Sequence, residues 1–216
     1  MQPPELEARG AELTDLLGAC VERGASVGFV LPFDRAAGEA MWRETAARPG
    51  TAVLGAFEAS RLLGVVLLVR SPRQNGRQRA SVQTLLVAPD ARRRGLGRAL
   101  LEGAEAEARR RGITLLLLDT ETGGDAARLY RALGWIETGV VPGYAARPDG
   151  RITPQTFRCR PRGLPGIRCP VGSSRDQAGA FRRSLGRPAA FSRTTERPGA
   201  VSEAAAADPQ QFTASL

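Results

Sequence analysis

The stretch Leu85-Leu86-Val87-Ala88-Pro89-Asp90-Ala91-Arg92-Arg93-Arg94-Gly95-Leu96-Gly97-Arg98-Ala99-Leu100-Leu101 constrains this 216-residue chain most, because it reads as a buried strand passing through a glycine turn into a helix N-terminus. The first N–H groups of a helix point outward without partners, and the aligned peptide dipoles add partial positive charge, so an anion binds there without rearrangement. Gly95 and Gly97 lack Cβ, tolerate positive φ and leave backbone N–H groups accessible, while Arg92, Arg93, Arg94 and Arg98 supply planar donors for phosphate oxygens. The turn fits neither common nucleotide motif. It lacks the Lys-Ser/Thr pair of a P-loop and the third glycine of a dinucleotide fingerprint.

Around this turn the periodicities give a mixed α/β order. Helices are expected over Leu6 to Val21, Asp34 to Ala47 and Gly97 to Arg111, the last burying Leu96, Ala99, Leu100, Gly103, Ala104 and Ala108. Strands are expected over Thr51 to Glu58, Leu62 to Arg70 and Gln78 to Val87. Ile113 to Leu118 is apolar at nearly every residue, the pattern of a central strand covered on both faces. Asp125 reads as the cap of a helix over Ala126 to Leu133, followed by strands near Ile136 to Val141 and Thr156 to Cys159.

Apolar runs stop near Cys159, which gives one compact domain over residues 1 to 160 and a tail over residues 161 to 216. The tail is rich in Arg, Pro, Gly, Ala and Ser and buries too little to offset its ordering entropy, so it reads as disordered. A frameshifted or misread extension accounts for it, ahead of an Arg-rich arm for nucleic acid, since the arginines form no basic block. The net charge of +9 divides between the parts: residues 1 to 160 carry 23 arginines against 18 carboxylates, and the tail 8 against 4. A basic cleft for an anionic ligand accounts for the first excess without nucleic acid. No apolar run is long enough to span a bilayer, and the start lacks the pattern of a secretion signal, so a cytoplasmic protein is expected. Cys20, Cys159 and Cys169 have no metal or redox spacing, and no metal is expected.

Arg92-x-x-Gly95-x-Gly97 after Leu85-Leu86-Val87 resembles the R/Q-x-x-G-x-G/A signature of the GNAT superfamily of acetyl-CoA-dependent N-acetyltransferases. Asp125 through Trp135 resembles that family's A-x-x-L-Y-x-x-L-G-aromatic helix. Gly24 to Phe29, Asn75-Gly76, Leu118 to Glu121 and Pro142 through Gly150 resemble the tabtoxin-resistance acetyltransferase subgroup. The resemblance implies a mostly antiparallel central sheet with splayed central strands, flanked by helices. The family's usual first strand has almost no room before residue 5, so either that edge strand is missing or the start is misplaced.

The resemblance also implies roles. The backbone of Leu85, Leu86 and Val87 would pair with the pantetheine arm, and an N–H there would hold the thioester oxygen. Arg92, Arg93, Arg94, Gly95, Leu96, Gly97 and Arg98 would hold the phosphates of acetyl-CoA, the cosubstrate. Tyr130 would protonate the departing thiolate; from spacing alone it reads first as packing, an order that the family motif reverses. With no histidine in the chain, Asp119 is the best carboxylate to receive or orient the amine proton, its rival role being a strand-end turn residue. The subgroup tends to carry a glutamate early in the strand before the glycine turn, where this chain has Ser81, which can orient water but is no such base. Gly123 stands where many GNAT proteins have asparagine. Phe29, Trp42 and Tyr144, in the loop Pro142-Gly143-Tyr144, fall where the subgroup builds its acceptor pocket, although packing explains the first two as well. A small amino-acid-like amine is then the acceptor, in toxin or antibiotic self-protection, and the protein a monomer or homodimer. A protein N-terminal acetyltransferase and a coenzyme A-binding regulator with weakened catalysis stay open. A chain ended after Arg160 is expected to keep its melting temperature and acetyl-CoA affinity. Thermal unfolding with and without acetyl-CoA checks this, and a fall of many degrees would overturn the reading of the tail.

Overall fold

The computed structural model describes Met1 and residues 3–161. The tail beyond Pro161, and Cys169 with it, lies outside the described residues. The chain runs α1 (Pro3–Ala8), α2 (Gly10–Glu22), α3 (Arg35–Ala47), β1 (Thr51–Glu58), β2 (Arg61–Arg70), β3 (Arg79–Val87), α4 (Leu96–Arg110), β4 (Leu115–Glu121), α5 (Asp125–Ala132), β5 (Ile136–Ala146) and β6 (Ile152–Pro161). The strands form one sheet in the order β1-β2-β3-β4-β6-β5, antiparallel throughout except for β3 and β4.

Two cores hold the sheet between helical layers. Leu13, Leu17 and Trp42 of α2 and α3 pack with Leu63, Val65 and Leu86 on one face. Leu101, Ala104 and Ala108 of α4, with Tyr130 and Trp135, pack with Val66, Leu68 and Leu116 on the other. The strand covered on both faces is β2, buried continuously from Leu62 to Leu68. In β4, by contrast, Leu116 and Leu118 are buried while Leu115 and Leu117 are half-buried, so the apolar run there overstates its coverage.

Several boundaries differ from the sequence reading for identifiable reasons. The first helix is divided at Arg9, beside Gly10, a weak helix former. Ile113 precedes β4: Gly112 adopts φ +66 and the Ile113 N–H bonds to the Ala108 carbonyl at 2.9 Å, so this buried side chain closes the end of α4. The strand then runs on through Asp119 to Glu121. On α4, Leu101 and Glu105 are buried and Ala99 is exposed, a rotation of the expected face. Gly124, not Asp125, precedes α5, and the Asp125 carboxylate pairs with Arg128. Pro142-Gly143-Tyr144 is no loop; it forms an irregular part of β5, where the register with β6 shifts. β1 lies at an edge of the sheet, where the Met1 ammonium donates to the Val53 carbonyl at 2.6 Å.

Arg160 closes the domain. Its Nε meets Glu105 of α4 at 2.9 Å, and its guanidinium also donates to the Leu133 carbonyl at the end of α5. Glu105 is only 6% exposed, so loss of the Arg160 guanidinium takes a charged hydrogen bond from a poorly solvated carboxylate and another from the end of α5. Arg160→Ala is expected to lower stability by about 2 kcal/mol, measured by chemical denaturation, without changing which elements form.

Candidate active site

The sheet is split at its centre. β3 and β4 pair only from Arg79 to Ser81 against Leu115 to Leu117. Beyond that point β3 stays on β2 as far as Val87, and β4 stays on β6 as far as Glu121. Their facing edges therefore open as a V whose backbone groups are not satisfied by one another, a geometry that accepts an extended ligand as an added strand. A bulge lies on one arm. Thr84 and Leu85 together oppose Val66, and Thr84 has φ +50, a conformation in which a β-branched residue is strained. The extra residue reverses the alternation: Ala80 and Val82 face α4, whereas Leu86 faces α2 and α3.

Two helix N-termini flank the mouth of the V. Gly95, at φ +83, precedes α4, no side chain caps that end, and a Cβ on Gly95 would meet nothing within 4 Å. α5 begins just after Gly123, at φ +82, and Gly124. The two helices meet at Gly97, where a Cβ would come within 3.2 Å of the Leu129 side chain. Leu96 is half-buried beside it, as are Leu85 and Val87, while Leu86 is fully in the core, leaving its backbone as its means of contact.

The four expected arginines are not equivalent. Arg92 donates through Nε to the Val87 carbonyl at 3.4 Å, and the Cys20 thiol approaches the same oxygen at 3.4 Å. Arg94 is tied to Glu58, and Arg98 faces Glu102 at 3.7 Å. Arg93, exposed at φ +63, has no ion-pair partner among the described residues.

At the floor of the V, register puts Ser81 beside Leu117, and Asp119 follows on the same sheet face. Asp119 lies opposite Phe157, whose ring packs edge-on against Tyr144 with centroids 5.2 Å apart. Asp119 is solvent-exposed, yet the protein around its carboxyl desolvates it enough to raise its pKa above the ordinary carboxylate value, opposed by a backbone hydrogen bond. Tyr130 is 5% exposed, its ring edge-on to Trp135 at 5.8 Å; burial first and the Asp119 charge second raise its pKa, so it stays a phenol through the neutral range. The same two causes, in the same order, raise Tyr144. One carboxylate is thus felt by two phenols. This arrangement can take a proton on Asp119 and give one from Tyr130.

The remaining expected residues divide. Phe29 is half-buried, edge-on to Phe33 at 5.4 Å, and its loop is joined to the β5–β6 turn by the Leu31 N–H bonded to the Pro148 carbonyl at 2.8 Å. In the same turn region Arg147 pairs with Glu121 at the end of β4. Phe29 and Tyr144 therefore lie on elements that the structure ties together. Trp42 does not join them: it is 2% exposed within the core, a correction to its assignment to an acceptor pocket. Three contributors escaped the sequence reading. Phe157 shows only through register, Glu58 only through its distant partner, and the Thr84 bulge has no residue signal, since threonine does not favour positive φ.

The described residues contain no group of three or more side chains able to hold a metal, and no helix among them is long and apolar enough to cross a membrane. A sequence profile of the acetyltransferase (GNAT) family matches residues 20–135. Over 73 residues the chain is 40% identical to the [ribosomal protein bS18]-alanine N-acetyltransferase of Escherichia coli K12; the match covers 33% of this chain and 49% of that protein. The chain thus spans about half the length of the curated relatives it matches. Among solved structures, the ribosomal-protein-alanine N-acetyltransferase of Brucella melitensis is similar with a TM-score of 0.62 and 26% identity, covering 72% of this chain and 95% of that one. The Salmonella typhimurium protein yncA, solved with its cofactor acetyl-CoA, has a TM-score of 0.63 at 23% identity over 75% and 93% of the chains, a likeness of fold. With the split sheet, the glycine turn and a profile match over more than half of its length, the chain belongs to the acetyltransferase (GNAT) family.

Proposed function

We propose that the protein transfers the acetyl group of acetyl-CoA to a primary amine. The observation that carries this reading is the V between β3 and β4, flanked by two helix N-termini and floored by Asp119 and the phenol of Tyr130. Open space at Gly95 and unsatisfied strand edges fit a phosphate-bearing, extended cosubstrate. In this reading the backbone of Leu85 to Val87 binds the pantetheine arm and polarises the thioester carbonyl. Gly95, Leu96 and Gly97 present N–H groups to phosphate, with Arg92, Arg93 and Arg98 in support. The amine nitrogen bonds to the carbonyl carbon as the C–S bond breaks. Asp119 orients the amine and receives its proton, and Tyr130 returns one to the sulfur. Ser81, on the same face as Asp119, orients water where the subgroup has a glutamate.

The acceptor is a small amino-acid-like amine, held at the rim formed by Phe29 and Tyr144 and acetylated in self-protection, as resemblance to the tabtoxin-resistance subgroup suggests. A second reading, the amino-terminal alanine of a protein, is supported by the names of the relatives. Release of free thiol with amino acids and alanine-initiated peptides distinguishes the two, and no turnover with any amine would overturn the transferase reading.

Gly95→Asp strains a left-handed position and places negative charge where phosphate is expected. Acetyl-CoA should raise the melting temperature of the parent and not of this variant; equal shifts would remove the site. Tyr130→Phe should lower kcat about 100-fold with acetyl-CoA affinity unchanged, measured by steady-state rates beside cofactor titration.

The raised Asp119 pKa sets a pH dependence. The base is available only above that pKa, so kcat/KM should rise with pH through it and then further as the amine deprotonates. Asp119→Asn should lower kcat/KM while leaving acetyl-CoA binding intact. Because the folded pKa is raised, ionisation disfavours folding once pH exceeds both the unfolded and the folded values. The Asn variant should therefore melt no lower than the parent at neutral pH. Ser81→Glu should raise kcat/KM by about tenfold. Full activity in Asp119→Asn would reduce that residue to a structural one.

A further inference from the structure

The positive charge of the folded domain is not spread over it. Three segments meet at the end of the sheet opposite Gly95: residues 48–50 before β1, residues 70–79 between β2 and β3, and residues 107–114 between α4 and β4. They are cross-linked through backbone. The Arg70 N–H and the Arg111 guanidinium both donate to the Gly50 carbonyl, Arg70 Nε donates to the Arg77 carbonyl at 2.8 Å, and the Thr114 and Leu115 N–H groups share the Gln78 carbonyl. These segments carry eight arginines and one carboxylate, Glu107, which is already engaged by Arg110 and Arg111. The rest of residues 1 to 160 carries 15 arginines and 17 carboxylates. The whole positive excess of the domain therefore sits at this pole.

Elsewhere most arginines are paired. Here Arg48, Arg73, Arg77, Arg79 and Arg109 have no ion-pair partner among the described residues, and all but the half-buried Arg79 are exposed. Arg109 also lies close enough to Arg160 for its charge to add to burial in lowering the Arg160 pKa. Packing like charges costs self-repulsion, which a bound polyanion relieves with release of its counterions. The tail is itself net basic, with eight arginines against four carboxylates.

We propose that this pole is a docking surface for the phosphate backbone of double-helical RNA. The three segments contain no Phe, Tyr or Trp, so no platform exists on which unpaired bases could stack, and a helix is favoured over single strands. Exposed Gln74, Asn75 and Gln78 interleave the arginines, and each amide offers both a donor and an acceptor, as a ribose 2′-hydroxyl requires. The glycine turn lies at the opposite end of β3, so RNA binding leaves it open.

The test is fluorescence anisotropy of a labelled RNA duplex of about 20 base pairs with the full chain across a salt series. Contacts from five free arginines give a slope of about −4.5 in log affinity against log salt. The triple variant Arg73→Gln, Arg77→Gln, Arg109→Gln should weaken binding at least tenfold at about 0.1 M salt and reduce that slope by about 2.7, with its acetyl-CoA thermal shift unaltered. A control triple at Arg23, Arg43 and Arg131, also exposed and without an ion-pair partner among the described residues, removes the same charge and should leave binding unchanged. Equal losses in both triples would overturn the proposal in favour of net charge. An unaffected pole variant, or a parent that does not bind, would overturn it outright. Equal affinity for a DNA duplex would overturn the assignment to RNA, stronger competition by polyglutamate would indicate an acidic protein instead, and displacement by acetyl-CoA would put the RNA at the glycine turn.

Discussion

The limited pairing between β3 and β4 governs the rest of the structure. Three residues on each side join the two halves of the sheet, and after Ser81 and Leu117 the strands separate. Each arm survives because its outer edge is saturated, β3 by β2 and β4 by β6, and because cores on both faces clamp the joint. The unsatisfied backbone is thereby confined to the inner edges. Concentrating unmet hydrogen bonds on rigid strands, away from mobile loops, gives a ligand site that needs little ordering when occupied.

Charges around the glycine turn act on a smaller scale. The Glu58–Arg94 and Arg61–Asp90 pairs are both solvent-exposed, and such pairs contribute about 1 kcal/mol or less. Their alternating signs link the β1–β2 turn to the segment leading into Gly95, while Glu12 of α2 accepts the Leu62 N–H at 2.6 Å from the other side. Backbone conformation shapes the turn, and these contacts orient what surrounds it. Arg94, held toward Glu58, is on this account a strut more than a phosphate ligand.

The glycine turn, the order of most strands and helices and the tyrosine helix were legible because each rests on local pattern: Gly95 must take positive φ, and α4 repeats its apolar residues at helical spacing. Features set by distant contacts were not. Ile113 looks like strand until the end of α4 claims it, Trp42 fits an acceptor pocket as well as a core until α3 docks, and β5 runs on through Pro142 because β6 provides a partner that local sequence cannot announce. Asp119 and Ser81 were nominated separately; their common sheet face follows from parallel register across a crossover, which no single segment encodes.

The Thr84 bulge has a consequence for how such a segment tolerates change. One surplus residue decides which layer Leu86 joins, so the arrangement is written in chain length more than in side-chain identity. Removing any one residue between Val82 and Leu86 would turn the downstream strand over, driving Leu86 out of its core and carrying the approach to the glycine turn with it. Exchanging side chains at Gln83 or Thr84 would leave that parity intact. The stretch therefore has latitude in residue type and none in length.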